Sequence, residues 1–384
     1  MIERKMASKI TSLAQKFQVI TLTGPRQSGK TTLVRAVFPN LPYVSLEEPD
    51  IRQIALSDPR GFLSNYPYGA ILDEIQNTPE LFSYLQRIVD ENRQIQFILT
   101  GSSNFLLMEK ISQTLAGRTA VLHLLPFSFE ELEPLNDPYE SMIFKGQYPR
   151  IYDRDISPTE FYPSYIQTYV DRDVRLIKNV GDSNAFIQFT QLCAGRIGQP
   201  LNYASLAADA GVSPNTAKSW ISILESSYIL YRLQPYHRNF NKRLVKSPKL
   251  YFYDTGVACA LLGIRESEHI NFHYLKGSLF ENLILNEFIK RSFNRGENSL
   301  PYYWQDNHGK EIDCLMVNGE RVTAVEIKSG KTMSTSYFDH LHYWESLAAL
   351  SEYQGYVVYG GDQTMQTSAG MLLSWRDLDR IPHA

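Results

Sequence analysis

The residues Gly24, Pro25, Arg26, Gln27, Ser28, Gly29, Lys30 and Thr31, followed by Thr32, have the spacing of a phosphate-binding loop. The two glycines let the backbone curl until several N–H groups face one β-phosphate. Lys30 is then placed for the β- and γ-phosphates of ATP, and the Thr31 hydroxyl offers an oxygen to Mg2+. A second element, YGAILDEIQN, ends an apolar run in two acids. Asp73 is expected to hold the Mg2+ through water, and Glu74 to polarise the attacking water as a general base. That pair argues for hydrolysis over nucleotide storage. FILTGSSNF supplies Thr100, Ser102 and Asn104, any of which would orient the water, and the sequence does not choose among them. Arg118 in LAGRT has two readings: an arginine finger reaching across a subunit boundary of a homo-oligomer, or a surface cation in an ion pair.

A second constellation lies near the C-terminus, in GKEIDCLMVNGERVTAVEIKSGK. Alternate strand residues share a face, so Glu326 and Lys328 point the same way and Ile327 turns to the core. A tight NGE turn brings Asp313 beside them, and Glu281 on the helical stretch GSLFENLILNEF supplies a fourth group. Metal-dependent cleavage of a phosphodiester needs such a set: carboxylates to hold Mg2+, here Asp313 and Glu326, and a Lys to stabilise charge or help activate water. The competing readings are a surface hairpin with solvated charges and a domain that grips DNA without cutting. Trp304 and His308 nearby read as packing and surface residues.

Between these two sites, LNYASLAADAGVSPNTAKSWISILESS has the grammar of a helix-turn-helix. Gly211 suits the left-handed residue that ends the first helix, Ser213 is an N-cap, and Pro214 opens the second helix. Asn215, Thr216, Lys218 and Ser219 would face base edges and phosphates. The next stretch carries Arg232, Arg238, Lys242, Arg243, Lys246 and Lys249 with no acid among them, the composition of a wing laid along a duplex backbone. DNA is the partner this implies; a packing or protein-docking role is the alternative. The whole chain has a formal net charge of −3, so nucleic acid would have to be drawn by such a local patch.

The elements that must position these groups are legible as hydrophobic rhythm. Strands are expected at 19–24, 43–46, 69–73, 96–101 and 119–124, with helices between them, as a parallel sheet covered by helices requires. Residues 128–230 read as helical, and strands return after a helix near 279–293. The fold class is α/β, with a P-loop ATPase domain at 1–130, a helical and winged-helix region at 131–260 and a C-terminal α/β domain at 261–384. The 384 residues hold three scattered cysteines, no export signal and no apolar run long enough for a membrane, so a cytoplasmic protein is expected.

GPRQSGKTTL, AILDEIQ, FILTGSS, LAGRT and LPFSFEEL together resemble an AAA+ ATPase family of bacteria and archaea. Its members join the ATPase to a C-terminal domain of unknown function. The resemblance continues through GQYPR, YVDRDV, YFYDTGVACALLG, KGSLFENLILNEF and AVEIKSG, and so covers nearly the whole chain. The C-terminal pattern resembles the restriction-endonuclease-like PD-(D/E)xK fold, close to archaeal Holliday-junction resolvases. These resemblances imply an ATP-hydrolysing protein that acts on DNA and cleaves it with Mg2+. A nucleotide-dependent DNA- or protein-binding switch whose nuclease-like domain does not cut, and a protein remodeller, are the alternatives.

Overall fold

The computed structural model describes residues 2–92, 94–102, 111, 113–169, 183–236, 245–348 and 352–382. Five short apolar runs form the first sheet: β1 (Val19–Thr23), β2 (Tyr43–Ser45), β3 (Ile71–Asp73), β4 (Phe97–Gly101) and β5 (Thr119–His123). Their order is β2-β3-β4-β1-β5 and every pairing is parallel. β1, β3 and β4 are buried at every residue, because helices cover both faces of the sheet, which is why they read as unbroken apolar runs. Among the covering helices are α1 (Met6–Ala14), α2 (Lys30–Val37) and α3 (Leu81–Glu91). A parallel sheet puts all its strand C-termini on one edge, so the loop after β1 and the acids after β3 meet there.

The middle of the chain is helical. It includes α4 (Phe129–Leu132), α5 (Pro149–Arg154), α6 (Ser183–Ala194), α7 (Tyr203–Ala210) and α8 (Pro214–Ser226). Gly211, in the left-handed conformation, ends α7 as expected, and the Ser213 hydroxyl caps α8 by accepting from the Thr216 amide at 3.1 Å. The inner face of α8 buries Ala217, Trp220, Ile221 and Leu224 at helical spacing, with Trp220 edge-on to Phe186 and Phe189 of α6.

An antiparallel pair, β6 (Leu230–Pro235) and β7 (Lys249–Phe252), follows α8. Then come the long helix α9 (Lys276–Asn294), the antiparallel strands β8 (Tyr302–Gln305), β9 (Glu311–Asn318) and β10 (Arg321–Lys328), and helix α10 (Asp339–Ala348). β11 (Glu352–Tyr359) lies parallel to β10, and β12 (Met365–Thr367) and β13 (Gly370–Ser374) complete the sheet. Its order is β12-β13-β11-β10-β9-β8-β6-β7. Gln234 pairs with Tyr302, so this sheet runs across the boundary expected at residue 260. One apolar core passes from Met6 through Tyr148 and Trp220 to Trp375, fastening all three regions together. Among the described residues no helix is long and apolar enough to cross a membrane.

Candidate functional site

At the end of β1 the chain turns through Gly24, whose φ is +148°. A Cβ there would stand 2.2 Å from the Leu124 carbonyl oxygen, so only glycine fits. The loop closes with Gly29 in the left-handed conformation, directly before α2. Inside the curl, the Lys30 ammonium donates to the carbonyls of Gly24 at 2.9 Å and Pro25 at 2.7 Å. Across the sheet edge, the Asp73 carboxylate gathers three hydroxyls. Thr31 donates to it at 2.9 Å, Tyr43 at 2.7 Å, and Thr100 to its other oxygen. Burial first, and then the hydrogen bond to Asp73, push the Tyr43 phenol well above its ordinary range. Neighbouring hydroxyl and carboxylate oxygens are the hard donors that suit Mg2+.

Glu74 sits in the left-handed region, φ 55° and ψ 45°. A non-glycine residue adopts this at a cost on the order of 1 kcal/mol or more. Its carboxylate accepts from the Gln76 amide and, at 3.3 Å, from the Ser102 hydroxyl. Glu74 and the loop residues Arg26, Gln27, Gly29, Lys30, Thr31 and Thr32 line one cavity of about 1070 Å³, closed on the far side by Arg150 and Arg154 of α5. Of the three water-orienting candidates, Thr100 is thus on Asp73 and Ser102 on Glu74, while Asn104 lies outside the described residues. Arg118 is at the other end of the sheet. Thr119 pairs with Val19, the residue of β1 farthest from the loop, about 16 Å of strand away. Its guanidinium instead grips Asp90 at 2.7 and 2.9 Å, so it does not serve the loop of its own chain.

In the C-terminal domain, β9 and β10 carry Asp313 and Glu326 to adjacent positions, next to the paired Cys314 and Val325. Oxygens of Glu281, Glu311 and Asp313 come within 4.8 Å of one another. Asp313 is also held locally: its Oδ2 accepts from the Ile327 amide at 2.7 Å. Glu326 is 1% exposed; one oxygen meets Lys328 at 2.5 Å and His340 at 3.3 Å, and the other, Oε2, is buried with no hydrogen-bond partner among the described residues. The four expected residues are therefore brought to one place, and Glu311, Lys249 and Tyr251 join them. The Lys249 ammonium bonds Glu311 and lies 3.6 Å from Glu281, to which the Tyr251 hydroxyl also donates.

Burial, with repulsion from Asp313 and Glu311, pushes the Glu281 carboxyl up to about 7 against the pull of Lys249. Burial also raises Glu311 and Glu326. For Lys249, burial works toward a lower value, but Glu281, Glu311 and Asp313 more than offset it and hold the ammonium well above the usual range. A set of carboxylate oxygens is again the donor chemistry of Mg2+.

The helix-turn-helix leaves Asn215 and Lys218 exposed on the outer side of α8, with Thr216 half-buried against Ser213. The basic run behind it is not a uniform wing. Arg232 is clamped by both oxygens of Glu225 at 2.7 Å and by the Tyr203 hydroxyl, and Lys249 is interior. Glu225, on the neighbouring α8, neutralises the first, and Glu281 and Glu311, far along the chain, neutralise the second. Lys246 is exposed, whereas Arg238, Lys242 and Arg243 lie outside the described residues.

Residues 16–133 match a family described as an AAA domain, residues 136–268 a domain of unknown function (DUF8612), and residues 276–378 another (DUF4143). An uncharacterized protein of Mycobacterium tuberculosis is 28% identical over 341 residues, 88% of this chain and 76% of the relative. One from Methanocaldococcus jannaschii is 26% identical over 301 residues, 64% of this chain and 63% of the relative. Among solved structures, a Walker-type ATPase of Pyrococcus abyssi aligns with 68% of this chain and 96% of its own, at 14% identity and a TM-score of 0.45. A signal-transduction ATPase with a tetratricopeptide repeat sensor, from Pyrococcus horikoshii, aligns with 78% and 48%, at 14% identity and a TM-score of 0.29. The N-terminal part of the chain is a P-loop ATPase domain of the AAA type.

Proposed function

We propose that the protein binds ATP with Mg2+ at the loop between β1 and α2, hydrolyses it, and acts on DNA, which its C-terminal carboxylate site cleaves. The contact between Thr31 and Asp73, beside the curl that holds Lys30, carries the first half of this reading. Bound Mg2+ would draw charge from the β- and γ-phosphate oxygens. Lys30 would exchange the loop carbonyls for those phosphates, while Thr31 and Asp73 supply the ligand oxygens. Glu74, its carboxylate aimed by Gln76 and Ser102, would take a proton from the attacking water. Arg118, too far from its own loop, would have to leave its ion pair with Asp90 to serve the loop of a neighbouring subunit in a homo-oligomer. Buried, unpaired Cys193, Cys259 and Cys314 suit a reducing cytoplasm.

The DNA half is supported by the exposed residues of α8 and by the element order after residue 276. A helix, three antiparallel strands, a helix and a parallel strand bring Glu281, Asp313, Glu326 and Lys328 together, as the restriction-endonuclease-like reading requires. There Asp313 and Glu326 would hold Mg2+, with Glu281 and Glu311, whose oxygens lie within 4.8 Å of Asp313, as further ligands, and the ion would activate water and offset phosphate charge. A second reading, a nucleotide-dependent switch that binds without cutting, is favoured by one observation: an ammonium already lies among the carboxylates.

ATP turnover and DNA cleavage measured side by side on duplex, single-stranded and branched DNA, with Mg2+ or Mn2+, decide between the two. Glu74→Gln is expected to bind ATP and lose turnover by about 100-fold or more. Asp313→Ala should hydrolyse ATP and leave DNA intact. Wild type that turns over ATP in response to DNA yet cuts nothing establishes the switch. ATP turnover indifferent to every DNA removes DNA as the partner.

A further inference from the structure

Lys249 is the feature that neither the ATPase chemistry nor the nuclease-like quartet uses. Its side chain is 5% exposed, comes from β7 rather than from the helix and strands that carry the acids, and reaches both Glu281 and Glu311. The surroundings are short of positive charge. Glu281, Glu311, Asp313 and Glu326 face Lys249 and Lys328, with His340 against Glu326, four carboxyl groups against two ammoniums and one imidazole. Glu326 Oε2 is buried without a hydrogen-bond partner among the described residues, an oxygen suited to a cation. Lys249 also lies 5.2 Å from the centre of the Tyr303 ring, and Tyr303 bonds the Ser247 carbonyl, so the ammonium is carried on the anchored end of the β6–β7 pair.

We propose that Lys249 is a built-in cation of the carboxylate site, competing with an oxygen-preferring divalent metal for Glu281 and Glu311. This deepens the reading of that site as metal-binding and does not depend on whether it cuts. An ammonium and a divalent ion on those carboxylates oppose each other, because both draw on the same negative charge and the two cations repel at such a distance. Metal entry therefore requires the Lys249 side chain to leave.

The test uses the full chain without nucleotide and Mn2+ as the probe. Calorimetric titration of wild type, Lys249→Met and Lys249→Arg should show at least tenfold tighter Mn2+ binding in Lys249→Met alone. Glu281→Gln together with Asp313→Asn, added to Lys249→Met, should abolish the gain. Independently of any variant, reductive methylation read by mass spectrometry should find Lys249 of wild type sheltered without metal and labelled at least tenfold faster with saturating Mn2+. Unchanged or weaker Mn2+ binding in Lys249→Met overturns the proposal. So does wild-type labelling that Mn2+ leaves unaltered, a result that decides the matter even where Lys249→Met does not fold. Tighter binding in Lys249→Met with no cleavage by any variant keeps the proposal and removes the nuclease reading. Cleavage by wild type with no effect of Lys249→Met on metal does the reverse.

Discussion

Glu281 shows how a single carboxyl registers its surroundings. Its pKa is raised from 4.5 to about 7 by burial, so the native state binds its proton more tightly than the unfolded chain does. Below about pH 4.5 both states hold the proton and the group contributes nothing. Between 4.5 and 7 the unfolded chain ionises first, so native stability falls, and above 7 the loss is complete. Unfolding midpoints of wild type and Glu281→Gln without divalent metal should therefore diverge in favour of the variant as pH rises across that window. A constant difference would refute the assignment. Lys290 makes a complementary case: its ammonium bonds the Phe127 carbonyl at 2.9 Å, Gln147 at 2.5 Å and Glu287 at 3.0 Å, fully inside. Lys290→Met strands the Glu287 charge and should cost about 3–5 kcal/mol in chemical denaturation. At this scale the sequence was partly legible. The lysine of the phosphate loop and the acids after β3 are local patterns, and so is the Asp313, Glu326, Lys328 spacing. Glu311 was also within reach, since it lies two residues before Asp313 on the same strand face. Lys249, Tyr251 and Arg4 were not, because their partners are remote in the chain and no periodicity marks such a pairing.

Elements were legible where local chemistry fixes them. The five strands of the first sheet sit within two residues of their expected ends, since unbroken apolar runs flanked by helices have few other uses. The start of α8 was readable for the same reason, from Ser213 and Pro214. Its worth is measurable: Ser213→Ala should lower stability by about 1 kcal/mol, seen as a shift in the unfolding midpoint, without moving the ATP site. The basic residues clustered between 232 and 249 give the strand pair β6–β7 the composition of a wing. What decides its place is the pairing of Gln234 with Tyr302 and the burial of all four β7 residues. Neither leaves a trace in composition, because an edge strand of one domain and a wing of another have the same alternation.

Across the molecule, a line of buried polar contacts joins the two sites. Arg4 donates to the Ser28 carbonyl in the phosphate loop at 2.7 Å, to the Leu125 carbonyl at 2.7 Å and to Glu131 at 2.9 Å. Glu131 caps α4 through the Ser128 amide, and the next amide, Phe129, donates to Glu287 at 2.6 Å. Glu287 stands on α9, the helix that carries Glu281. A change in the loop on binding nucleotide would reach α9 through rigid, desolvated bonds. Hydrogen exchange gives the measurement: a non-hydrolysable ATP analogue should slow amide exchange along α9 in wild type. Arg4→Met should bind the analogue and lose the distant protection; equal protection in both would remove this route.

The sheet that runs past residue 260 also bears on how such a chain can be inherited. Because Lys249 and Tyr251 arrive on β7, the carboxylates of α9 and β9 draw their counter-charge from a neighbouring segment. A genetic exchange with its breakpoint just upstream of α9 would separate Glu281 and Glu311 from the ammonium that pairs with them. A C-terminal domain moved without the strand pair would carry Glu281 and Glu311 into its new setting without Lys249.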